Sequence, residues 1–186
     1  MNDYSITLFF HIVGALGFFV ALGLEWTGLR HIRGATTAKE VGVWVGISNS
    51  ALRLGIISML TILASGIYMM ARAWGGVAWI IVALAALVLV IVLSVTLTRP
   101  RMAAIKRALP TKNGPLPQTF HTLANHPFLW ISIQTRLAIA LGIVFLMTVK
   151  PGLGGSLLAI GIAIVLGLAL SLPIARRERV QEGPAD

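Results

Sequence analysis

The feature that most constrains this chain is a near-continuous apolar run, Ile6–Leu29. Its roughly twenty-four residues are enough to cross a bilayer as one helix. Only two side chains in it can carry charge, His11 and Glu25. Fourteen residues separate them, close to four helical turns, so they share a face roughly 21 Å apart along the axis. Gly14, Ala15, Phe18 and Leu22 lie between them on that face. Ionisable groups kept inside a membrane helix face protein or water rather than lipid. This face is therefore the expected inner seam of a helical bundle.

The rest of the chain has the same character. Of 186 residues, 57% are hydrophobic and only 11% are charged. A soluble domain would carry about a quarter charged residues. The sequence therefore reads as one integral membrane domain spanning 1–186, all-α, with five spans. These are expected near Ile6–Leu29, Leu54–Ala71, Val77–Leu97, Ile133–Val149 and Leu153–Ile174. The first run lacks a basic leader and is too long for a signal-peptide core, so it reads as a retained span. Gly75–Gly76 and Pro151–Gly152 break the chain with turns. Spans two and three are thus expected as one hairpin, and four and five as another. Spans one, two and four are expected to form the core and spans three and five the flank, with span three, nearly devoid of polar residues before Ser94, turned mostly to lipid.

The net charge of +9 is placed by topology. Thirteen of the fifteen Lys and Arg residues fall in the connection 30–53, in the stretch 98–136 and after Ile174. The other side holds only Arg72 and Lys150. By the positive-inside rule the N-terminus is outside, and the connections 30–53 and 98–132 and the tail 175–186 are cytoplasmic. The basic residues point to anionic membrane lipid, not to nucleic acid. Thr37-Ala38-Lys39-Glu40 reads as a capping box opening a short interfacial helix through Val41, Trp44, Val45 and Ile47. Arg101–Leu109 reads as a basic amphipathic helix on the headgroups, and Thr111–Gln118 as a loop.

Two clusters carry candidate chemistry. At the outer level, His11, Met69 and Met147 reach similar depth on three spans, with Arg72 and Lys150 three residues beyond the two methionines. One imidazole with thioethers suits a soft metal such as Cu(I), or haem iron. The two cations suit a haem propionate or the outer headgroups. No second histidine lies at that depth, so any haem in one chain would be His/Met ligated or five-coordinate. The competing expectation is that the methionines are ordinary filler and His11 bonds a neighbouring helix. At the inner level, Glu25 meets Arg53 and Arg136, which open spans two and four in the similar phrases Arg53-Leu54-Gly55-Ile56 and Arg136-Leu137-Ala138-Ile139. This reads as an ion pair tying three spans together, or as one half of a proton path ending at His11. His31, His121 and His126 read as interfacial residues. Ala159, Ala163, Gly167 and Ser171 form a small-residue stripe on span five that admits a close neighbour helix. In the plainest reading that neighbour is within the bundle. In an accessory-subunit reading it is a second copy or a partner membrane protein. The absence of cysteine excludes thiolate chemistry, and no nucleotide loop, GxSxG, HExxH or carboxylate pair is present.

The phrases Leu8-Phe9-Phe10-His11-Ile12-Val13-Gly14-Ala15 and Phe145-Leu146-Met147-Thr148-Val149-Lys150-Pro151 carry a resemblance. They resemble small bacterial inner-membrane proteins of unknown function, related in architecture to the copper-resistance protein D group. The HemJ-type protoporphyrinogen oxidases are more distantly similar. These groups share a histidine in the first span. The resemblance implies b-haem ligation at the position of His11 in the one case and a periplasmic copper role in the other.

Overall fold

The computed structural model describes residues 3–110 and 116–181, with side chains described as far as Ser171. Among the described residues it is all-helical. Five helical stretches are long and apolar enough to cross a membrane. Helix α1 spans Asp3–Gly34 and α2 spans Ala38–Met69, extended by a π-helical turn, Met70–Trp74. Helix α3, Ala78–Leu93, passes through a second π turn, Ser94–Thr98, into α4, Arg99–Arg107. A short α5, Gln118–Ala124, precedes α6, Pro127–Val149, and α7, Leu153–Gln181. Of the expected loop Thr111–Gln118, residues 111–115 lie outside the described residues.

The turns form where the breakers stand. Gly75 adopts φ +62°, which a residue with a Cβ rarely does, and its N–H closes the π turn on the Met70 carbonyl at 2.7 Å. Lys150 caps α6 in the left-handed region, with Pro151 following. The Thr37 hydroxyl accepts from the Glu40 N–H, and the Glu40 carboxylate accepts from the Thr36 N–H at 3.0 Å. That cap opens α2 itself rather than a separate interfacial helix. No proline follows until long after the span, so the helix runs unbroken for 37 residues, about 55 Å. This exceeds the roughly 30 Å of a bilayer's hydrocarbon. The basic segment Arg101–Leu109 likewise continues α3 as α4 instead of lying apart.

The surplus length builds a second core. Leu29 and Ile32 of α1, Val41 of α2, Ile105 of α4, Phe120 of α5 and Leu129 of α6 bury one another at the basic end. Arg33 fastens this cap. Its guanidinium donates to the carbonyls of Ala124 and Asn125, at 3.1 and 3.0 Å, where α5 ends, and stacks over Trp130. Lys106 of α4 donates to Asn49 of α2. His31 stacks on Trp44 at 3.8 Å, and the His126 ring caps α6 by accepting from the Phe128 N–H.

In the apolar layer, α1 packs along α2 and α6 along α7, while α3 lies on α6 and α7. The expected core of spans one, two and four needs correction. Helix α6 is the hub, and one face of span three belongs to the core while Ile81, Val88 and Val92 stay exposed. Val82, Ala83, Ala86 and Val90 of α3 are buried with Phe18 and Leu22 of α1 and Ile139 and Leu146 of α6. Spans two and three do not form a packed hairpin, since α3 leans on α6 and α7 instead. In an apolar span every face is equally greasy, so composition does not tell a packed face from a lipid face.

Small residues set the close approaches. A Cβ on Gly17 would meet the Ser58 hydroxyl at 2.5 Å, so α1 and α2 touch closely there. A Cβ on Gly167 would lie 2.6 Å from the Cα of Thr135. The stripe Ala159, Ala163, Gly167 and Ser171 is thus occupied within the chain. Ala163 and Ser171 are buried, and Ala159 packs on the core. A partner using that stripe would have to displace α6.

Candidate functional site

Toward the end of α1 that carries His11, the four helices α1, α2, α3 and α6 surround a cavity of about 320 Å³. Its wall is mostly aliphatic and aromatic. His11, Met69, Met147 and Lys150 all line it, together with Met70 and Trp74. His11 is buried, at 7% exposure. Its Nδ1 lies 2.9 Å from the Ser65 hydroxyl. Ser65 in turn donates its single proton to backbone carbonyls one turn back, chiefly Thr61. With that proton held by the carbonyls, the hydroxyl would accept and Nδ1–H of His11 would donate. The neutral ring then carries its lone pair on Nε2, the tautomer suited to bind a metal through that atom. Ligand histidines are commonly held in this way by a partner on the other nitrogen. The ring is also seated against Gly66, where a Cβ would come within 3.4 Å of Cε1.

Of the outer-level residues singled out in the sequence, Arg72 is the one that does not line the cavity. Its guanidinium sits over the Tyr68 ring at 5.6 Å. The π turn is the reason. Pairing i with i+5 sets the helical phase back by about one residue beyond Met69, which turns Arg72 away from the Met69 face and brings Trp74 toward it. Trp74 donates its indole N–H to the Tyr4 hydroxyl, and the Lys150 ammonium lies 4.1 Å over its ring. Tyr4 and Trp74 thus join Lys150 in a polar and aromatic rim; spacing singled out Lys150 but not the two aromatic residues. Their signal in the sequence was amphipathic residues just outside apolar runs.

The second cluster lies deeper toward the basic end. Arg136, 4% exposed, donates to Glu25 at 2.7 Å. Its Nε donates to the Ser132 carbonyl at 3.3 Å, and Nη2 reaches the Thr98 hydroxyl at 3.4 Å. Thr98 and Ser132 share a hydrogen bond of 2.8 Å. One guanidinium therefore joins α1, the π turn after α3, and α6. Arg53 is exposed and stands outside this network, so the ion pair has one cation, not two. Helix α2 packs along α1 and not along α6, and Arg53 on it is exposed. The matching phrases around Arg53 and Arg136 do not occupy matching environments. Thr98 and Ser132, which sequence reading left aside, supply the polar lining that a buried guanidinium requires.

Among the described residues no three His, Asp or Glu side chains gather into a metal-binding group. A metal at His11 would therefore depend on the thioethers or on an organic ligand's own donors. The fold and this site define a class: an all-helical chain whose five apolar helices suggest a multi-pass membrane protein, with a ligand-sized apolar cavity bearing one oriented imidazole. Comparison with protein-family models, with curated proteins and with solved structures finds no match for the chain.

Proposed function

We propose that this chain is a multi-pass protein of a bacterial inner membrane that binds b-type haem at His11, on the outward-facing side. The observation that carries the reading is the cavity itself, a ligand-sized apolar volume with a buried imidazole whose Nε2 is left to a ligand. Pockets for small organic ligands run from about 300 Å³ upward and are mostly apolar with a few placed polar groups. A bare copper ion would need its ligands drawn within bonding distance, whereas an apolar organic group entering through the open side would fill this cavity without that movement. The cavity brings together residues that could hold the group: His11 and Met69 or Met147 would bind the iron, and Lys150 would supply a counter-charge for a propionate at the rim. Such a haem supplies one-electron transfer, and a thioether ligand raises its potential. The chain's own part is to exclude water with the apolar wall, fix the His11 tautomer through Ser65 and keep a cation at the mouth. The charge distribution supports an external N-terminus and a cytoplasmic C-terminus.

The test is the visible spectrum of the protein purified from cells supplied with a haem precursor. A Soret band is expected, lost in His11→Ala, with no bis-histidine signature. A protein that stays colourless after haem titration, or a His11→Ala variant that keeps its haem, overturns the reading. Copper without a Soret band would favour the ion. A protein with neither would favour an accessory subunit whose cavity holds only lipid.

A further inference from the structure

A second cavity, of about 260 Å³, lies between α2 and α3 on the basic side of the first. Phe18 and Leu63 line both and divide them. It exists because α2 follows α1 while α3 follows α6 and α7, leaving a seam that no helix fills. Its walls include Ile56 and Leu60 of α2 and Val95 of the π turn, which are 45%, 61% and 47% exposed, so the seam opens sideways. Its basic end holds Glu25, Arg136 and Arg99. Glu25 cancels the charge of Arg136. Arg99 is exposed and has no hydrogen-bond or ionic partner among the described residues. The seam is therefore an apolar slot with one uncompensated cation at its lip.

We propose that this seam seats one acyl chain of an anionic phospholipid, with the lipid phosphate on Arg99. The complement is specific in kind. An arginine fork matches a phosphate oxygen pair, and a sideways apolar slot matches a lipid tail. From the level of Glu25 to that of Phe18 the slot runs about 10 Å, long enough for the upper part of a tail. A soluble anion would satisfy Arg99 but leave the slot empty. A partner helix is far wider than a gap of this volume. The site is separate from the His11 cavity and does not depend on haem binding there.

The experiment is lipid titration of the detergent-purified full chain, read by native mass spectrometry and by thermal unfolding. The probes are phosphatidylglycerol, phosphatidylcholine with the same tails, and inorganic phosphate. Phosphatidylglycerol is expected to bind more tightly than phosphatidylcholine and to raise the melting temperature, with no effect of phosphate. Arg99→Gln should weaken phosphatidylglycerol roughly fivefold, the worth of one basic contact to an anionic headgroup. Val95→Trp and Ile56→Trp, at exposed positions that tolerate bulk, should fill the slot and reduce binding of both lipids. Arg107→Gln, an exposed cation away from the slot, should change nothing. Unchanged phosphatidylglycerol binding in Arg99→Gln, or in both tryptophan variants, overturns the proposal. Displacement of the lipid by inorganic phosphate overturns it as well, since the tail would then contribute nothing.

Discussion

Replacing Glu25 with Gln keeps the side-chain shape and removes one charge from the polar knot of the bundle. Arg136 would stay charged, because an arginine does not give up its proton in a protein. It is 4% exposed and would keep only neutral acceptors, the Ser132 carbonyl and the Thr98 hydroxyl, besides the new amide. Removing one partner of a buried pair costs about 3–5 kcal/mol. Glu25 is itself 25% exposed at its side chain, and glutamine still offers an oxygen at the 2.7 Å position. Both facts reduce the loss, to about 2–3 kcal/mol. Thermal unfolding in detergent, followed by tryptophan fluorescence, should show a clear fall in Tm. Trp26 and Trp130, in edge contact at 6.0 Å beside the knot, should report it. Adding Arg136→Gln should recover part of the loss, because the stranded charge is gone. Adding Arg53→Gln should recover none. Glu25→Gln as stable as the parent would mean that the carboxylate turns to the headgroups and the knot is not formed. Rescue by Arg53→Gln equal to that by Arg136→Gln would show that the pairing is misassigned.

Gly167→Ala should lower Tm, by about 1–3 kcal/mol of stability, because its Cβ would press on the backbone of Thr135, whereas Gly161→Ala, which meets nothing within 4 Å, should be neutral. An equal effect at the two positions would refute the close α6–α7 approach. Ser65→Ala should leave the fold intact but weaken haem binding by about 10- to 100-fold, the usual cost of losing the group that orients a ligand histidine; unchanged affinity in a titration would remove Ser65 from that role. Reporter fusions at Gly75 and Gly152 should read as external and one at Asn113 as cytoplasmic. A cytoplasmic signal at Gly75 would reverse the topology.

What the sequence determined by itself is whatever depends on local hydropathy and local backbone chemistry. The five apolar runs set five helices, since a chain in lipid must satisfy its backbone within each segment. Gly75 and Lys150–Pro151 set the turns, and Thr37 with Glu40 set the start of α2. The depth of His11 and that of Glu25 followed from counting residues along one helix. What only the tertiary structure decided is which faces meet. Val82, Ala86 and Val90 look no different from the lipid-facing Ile81, Val88 and Val92 beside them, yet the first set is buried and the second exposed. Arg53 and Arg136 open nearly identical phrases, and only the path of α6 through the centre of the bundle gives Arg136 to Glu25. The π turn at Met70–Trp74 set the helical phase back by about one residue, turning Arg72 away from the Met69 face and Trp74 toward the cavity rim. In water a buried face announces itself by its contrast with a polar one. In an apolar span that contrast is gone, and the choice falls to shape, where small residues let backbones approach, and to the few polar groups that must find one another.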